Sequence, residues 1–115
     1  MVITEQRLNA WLILILQGKF IVRNIALIRT FFEKAEKTTI PSVAIDLSGV
    51  TQIDSSAITI LVNFQRRIIK KDGRLVLFGM RSDIAEIFSI VGIENMFRIC
   101  STRNDFEMLY AQQNV

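Results

Sequence analysis

The sequence predicts an α/β fold: a mixed sheet of four to five strands with a parallel centre, covered by about four helices. Three observations carry this. Short aliphatic runs at residues 11–16, 43–47 and 75–78 alternate along the chain with longer segments whose apolar residues recur at helical spacing. Each run is almost continuously apolar, as expected of strands buried on both faces, and strands joined through a helix pair in parallel. Of the 115 residues 50% are hydrophobic and 22% charged, more apolar side chain than one sheet face can bury, so a layered core follows.

Taken in order, residues 11–16 read as a buried strand closed by Gly18, with residues 2–4 beside it as an antiparallel edge strand. Asn24 is placed as the cap of a first helix carrying Ile25, Leu27, Ile28, Phe31, Phe32 and Ala35, ended by the threonines before Pro41 and by Pro41 itself. Val43, Ala44, Ile45 and Leu47 form the next strand, with Asp46 near its end and a turn at Ser48-Gly49. Residues 50–54 lead into a second helix over about 55–71, whose apolar face is Ala57, Ile58, Ile60, Leu61, Phe64, Ile68 and Ile69; Asp72-Gly73 stops it. Residues 75–78 are the third strand of the centre, closed by Gly79. Ser82-Asp83 then caps a helix bearing Ile84, Ile87, Phe88 and Val91 that ends at Gly92. Residues 97–100 are a short last strand, and Asn104 caps a final helix using Phe106, Leu109 and Tyr110. The span 1–115 reads as one domain, since two would each be too small to bury a core.

Composition removes several function classes. The net charge is +3, with cations spread among acids, so no direct nucleic-acid partner is expected; Arg66, Arg67, Lys70, Lys71 and Arg74 read as a solvated helix face and turn. The single cysteine, Cys100, excludes an intrachain disulfide and reads as a small buried hydrophobe. Histidine is absent, which rules out His-based metal sites and Ser-His-Asp or Cys-His catalysis within the chain. No Gly-rich phosphate loop is present either, and the expectation is a chain without catalytic residues, metal or cofactor. Trp11 and the phenylalanines fall inside periodic apolar segments and are assigned to the core, not to a stacking platform. The apolar run at 11–16 is far shorter than the ~20 residues that span a bilayer. No membrane insertion is expected, and the cytoplasm is the expected compartment.

The most informative stretch is 43–58, VAIDLSGVTQIDSSAI, where two carboxylates and three serines surround a helix entrance. A helix N-terminus presents unpaired N–H groups and partial positive charge, which suits an anion. Two readings stand side by side: Asp54 or Ser55 caps those donors, or Ser55 or Ser56 accepts a phosphate there. Ser56 opens a polar stripe, Ser56, Thr59, Asn63, Arg66 or Arg67 and Lys70, opposite the apolar face, so its exposure is expected. Asp54, Ser55, Ser56, Thr59, Asn63 and Arg66 are therefore the candidate partner-binding residues. A phosphate on Ser56 adds roughly −1.5 to −2 charges. Like charges across an interface cost several kcal/mol, so one phosphate switches docking off. A further alternative makes Asp46, with Asp54, a metal-dependent phospho-acceptor; the competing reading of Asp46 is a carboxylate bonding turn amides.

Asp46-Leu47-Ser48, Asp54-Ser55-Ser56 and Lys71-Asp72-Gly73-Arg74-Leu75 together resemble the STAS family, whose members include bacterial anti-sigma factor antagonists. Residues 84–97, IAEIFSIVGIENMF, resemble the family's third helix and following loop, so the likeness covers about the last three quarters of the chain. It implies a STAS-like fold and a protein-binding switch that sequesters an anti-sigma factor/serine-protein kinase. Phosphorylation of Ser56 would release that partner and a PP2C-type phosphatase would reset the switch; a homodimer is compatible with the family. Two departures stand out. Ala57 replaces the usual glycine, and Gly18-Lys19-Phe20-Ile21 stands where antagonists commonly carry G-E-L-D, replacing both acids near the phosphorylation site. These changes make the neighbourhood more positive and more apolar. They support, as a second reading, a non-phosphorylated STAS subunit of a larger lipid-transport or signalling assembly.

Overall fold

Two interleaved sets of apolar residues run along each central strand, one for each face of the sheet. In the computed structural model, which describes residues 1–112, five strands stand in chain order across one sheet. β1 (Val2–Leu8) and β2 (Trp11–Phe20) form an antiparallel hairpin turned through Asn9, whose φ is 53°. β2, β3 (Ser42–Ile53), β4 (Arg74–Phe78) and β5 (Arg98–Cys100) pair in parallel. Helices α1 (Ile25–Ala35), α2 (Ser55–Lys70) and α3 (Ser82–Val91) make the crossovers, and α4 (Arg103–Leu109) follows β5. This is the mixed sheet with a parallel centre and four helices that the sequence predicts.

Leu12, Leu14 and Leu16 of β2, Val43 and Ile45 of β3 and Leu75 and Leu77 of β4 join the larger core with residues of α1, α2 and α3. The residues between them, Trp11, Ile13, Ala44, Val76 and Phe78, join a second core with Phe106 of α4 and Cys100. Both faces are buried, which is why the strands read as unbroken apolar runs. Trp11 meets Phe106 edge-on at 5.1 Å, and Phe78 stacks on the same ring at 5.1 Å. On the larger face Phe32 of α1 and Phe64 of α2 stack at 4.1 Å with ring planes 11° apart, which fixes the two helices against each other.

Several elements differ from the sequence reading. β2 and β3 run on to Phe20 and Ile53, and Ser48-Gly49 lies inside β3, because Gln17–Phe20 still pairs with the end of β3 beyond the reach of β4. The hydrogen-bonded ladder thus outlasts the apolar pattern, with register shifts absorbed around Gly18, whose φ is 116°. Asn24 does not cap α1: its Nδ2 donates to the Lys19 carbonyl at 2.7 Å, and a 3₁₀ turn, Val22–Asn24, leads into the helix. α1 also ends at Ala35, short of Pro41.

Ser82 likewise lies within α3 and makes no cap bond, while Thr102, in extended backbone, accepts from the Asp105 amide at 3.1 Å and caps α4 in place of Asn104. Ile69, Val91 and Leu109, expected in apolar faces, are exposed; Phe106 alone anchors α4 as a fully buried side chain. Gly92 ends α3 in the left-handed conformation, as expected.

Candidate functional site

The site is built where β3 ends and α2 begins. Asp54, partly buried and in extended backbone, is the residue that caps α2: its Oδ1 accepts from the Ala57 amide at 2.9 Å. Its other oxygen, Oδ2, accepts from the amide of Val22 at 2.9 Å, 32 residues away, and its own amide donates to the Phe20 carbonyl. One carboxylate thereby clasps the loop before α1 to the start of α2. The Ala57 amide first, and the Val22 amide second, hold this carboxyl below the usual carboxylate range, against a smaller opposing effect of burial. Asp54 is therefore an anion at neutral pH, with both oxygens engaged by backbone.

From Ser56 a groove of about 670 Å³ runs between α1 and α2. α2 lines it with Ser56, Thr59, Ile60, Asn63 and Arg67; Ile25, Arg29 and Glu33 of α1 and Glu36 just past its end face them, and Val22 closes the end beside Ser56. Ser56 is consequently partly buried and not fully exposed as its position on the polar stripe predicts. Thr59 and Asn63 are exposed, and the Thr59 hydroxyl donates back to the Ser55 carbonyl at 3.0 Å. Ser55 itself is exposed, outside the groove lining.

Of the two arginines on the stripe, Arg67 and not Arg66 belongs to the groove. Steps of three, four and four residues from Ser56 through Thr59 and Asn63 to Arg67 keep one helical face, whereas Arg66 lies about 100° around the helix from Arg67. Arg67 pairs with Glu36 at 2.7 Å, closing the far end of the groove. Other members of the basic cluster have structural contacts: Lys71 donates to the Glu36 carbonyl, and Arg74 bonds Ser42 Oγ while its guanidinium lies 4.5 Å over the Trp11 ring.

Asp46 is 9% exposed, and its Oδ1 accepts from both the amide of Ser48 at 2.9 Å and the Ser48 hydroxyl at 2.7 Å. That is the arrangement of a carboxylate holding local backbone. Among the described residues no three His, Cys, Asp or Glu side chains form a group that could hold a metal ion. Nor is any described helix long and apolar enough to cross a membrane.

The sequence reading missed the α1 half of the groove. Ile25, Arg29, Glu33 and Glu36 recur at four, four and three residues, a visible helical stripe, but nothing local shows that this stripe turns toward α2.

The anti-sigma-factor antagonist (STAS) domain protein from Planctomyces limnophilus superposes with a TM-score of 0.84 at 20% identity, covering 96% of this chain and 98% of that one. The Bacillus cell fate determinant SpoIIAA in its phosphorylated form gives 0.69 at 13% identity over 94% and 99%. The murine Slc26a9 anion transporter gives 0.78 at 18% identity, over 95% of this chain but 19% of the transporter. No curated protein matches by sequence. The fold is thus shared by an anti-sigma-factor antagonist, a cell fate determinant and part of an anion transporter, and at such identities the likeness speaks for fold alone. The sequence speaks for more than fold, because the family model described as STAS domain matches residues 1–106, and the chain belongs to the STAS domain family.

Proposed function

We propose that this chain is a cytoplasmic, non-enzymatic anti-sigma factor antagonist, a single STAS domain that sequesters an anti-sigma factor/serine-protein kinase. Phosphorylation at Ser56 releases that partner and a PP2C-type phosphatase restores binding. One observation carries the reading: Asp54-Ser55-Ser56 opens α2 with Asp54 fixed by two amides and Ser56 at the mouth of the α1–α2 groove. The docking surface is assigned to Asp54, Ser55, Ser56, Thr59 and Asn63, with Arg67 in the groove and Arg66 on its flank. A phosphate on Ser56 suits the helix end yet places about two negative charges beside the Asp54 carboxylate, where a partner must desolvate the surface. Folding tolerates it; docking does not.

A second reading has its own support. Lys19 and Ile21 stand where antagonists carry acids, and Ser56 is partly buried, both of which suit a STAS subunit held constitutively in a larger assembly. Mass spectrometry of the protein from its native host, with Ser56→Ala and Ser56→Asp baits in pull-downs, separates the two. Phosphate on Ser56, with a kinase-like partner kept by the alanine and lost by the aspartate variant, establishes the switch. An unmodified Ser56, with one partner retained by both variants, establishes the constitutive subunit.

A further inference from the structure

We propose that a phosphate on Ser56 is received within the chain by Arg29, which ties α1 to α2 across the groove and so closes the docking surface. The inference rests on the reading of Ser56 as a modified residue. Both helices are crossovers between parallel strands and run side by side in the same direction. The Arg67–Glu36 ion pair and the Phe32–Phe64 stack set their register, placing a residue of α1 level with the residue 31 or 32 positions later on α2. Arg29 therefore stands level with Ile60, one turn or about 6 Å beyond Ser56. Helical side chains lean toward the N-terminus, and the longer Arg29 side chain can thereby reach back toward Ser56. Both residues line the same groove.

The other charged groups leave this role to Arg29. Arg67 lies three turns from Ser56 and is engaged by Glu36. Lys19, near the end of β2, and Arg23, in the 3₁₀ turn before α1, are exposed and do not line the groove. Asp54 adjoins Ser56 as an anion bound to backbone, and Glu33 follows Arg29 by one turn, in the weaker orientation for a helical pair. Arg29 itself forms no ion pair among the described residues. A planar guanidinium fork is the side chain best suited to take phosphate oxygens in pairs. Without phosphate the groove stays open; with it, Arg29 is drawn from α1 onto the start of α2.

The test is phosphorus NMR on the full chain carrying genetically encoded phosphoserine at position 56, titrated from pH 4 to pH 8. An adjacent guanidinium favours the dianion and lowers the second phosphate pKa, about 6 in the free residue, against the opposing charge of Asp54. Arg29→Gln is expected to raise it by roughly half a unit, Arg29→Lys to recover part of the effect, and Arg23→Gln to leave it in place. A titration unchanged by Arg29→Gln, or a shift carried by Arg23→Gln instead, overturns the inference. Because the phosphate is installed without kinase or partner, this outcome is independent of whether the native host modifies Ser56.

Discussion

Replacing Asp54 with alanine removes both oxygens that join the loop before α1 to α2. The lost helix cap costs about 1 kcal/mol. The lost bond from the Val22 amide to a charged acceptor adds about 1 kcal/mol, less than the roughly 1.5–3 kcal/mol of such bonds when buried, because that amide is exposed and regains water. Asp54→Ala should therefore destabilise the chain by roughly 2 kcal/mol, and Asp54→Asn, which keeps a capping oxygen but presents only one acceptor, by about half as much. Urea denaturation at pH 7 measures both, and amide exchange at Val22 should accelerate in the alanine variant.

The effect has a pH signature. The folded state holds the Asp54 carboxyl below its ordinary value, so the unfolded chain binds its proton first as the solution is acidified. Its stabilisation is complete above the unfolded pKa, near pH 4, and fades as pH falls through the lower folded value. The gap between wild type and Asp54→Asn should thus narrow below about pH 4. A cost under ~0.5 kcal/mol for Asp54→Ala, or equal costs for alanine and asparagine at pH 7, would refute the clasp.

Three further outcomes follow from packing. Phe64→Ala empties a fully buried site stacked on Phe32 and should cost about 3–5 kcal/mol by chemical denaturation, with a coupling of about 1 kcal/mol to Phe32→Leu in a double-mutant cycle. Gly73→Ala should cost more than ~1 kcal/mol, because its Cβ would lie 2.3 Å from the Pro41 carbonyl oxygen; a melting temperature equal to wild type would contradict that approach. Cys100 is 6% exposed, and burial first and the Asp105 carboxylate second push its thiol pKa up. It should react with a thiol reagent at pH 8 far more slowly in the native chain than in denaturant, and equal rates would place it at the surface.

Much of the fold follows from local pattern. Strand and helix signals alternate strongly enough to require parallel crossovers, and the apolar runs at 11–16, 43–47 and 75–78 became the buried centre of the sheet. The start of α2 was equally legible, since Asp54-Ser55-Ser56 combines a good cap with a helical stripe that follows it. Capping was less legible where several polar residues compete: Thr102 prevailed over Asn104 because only its backbone is extended at the helix start.

What the sequence left undecided depends on neighbours distant along the chain. The ends of β2 and β3 are set by ladder hydrogen bonds between two half-polar segments, which no apolar pattern marks. At the end of α2 the left-handed turn belongs to Asp72, with φ of 57°, while Gly73 is needed for the close passage of Pro41, a residue more than thirty positions earlier. The same holds for the site. Periodicity placed Ser56, Thr59 and Asn63 on one face, but only the packing of α1 against α2 chose Arg67 over Arg66, covered part of Ser56 and brought Arg29 into the same groove. Local sequence sets which residues share a face; what that face meets is decided when separate elements bury their apolar sides against one sheet.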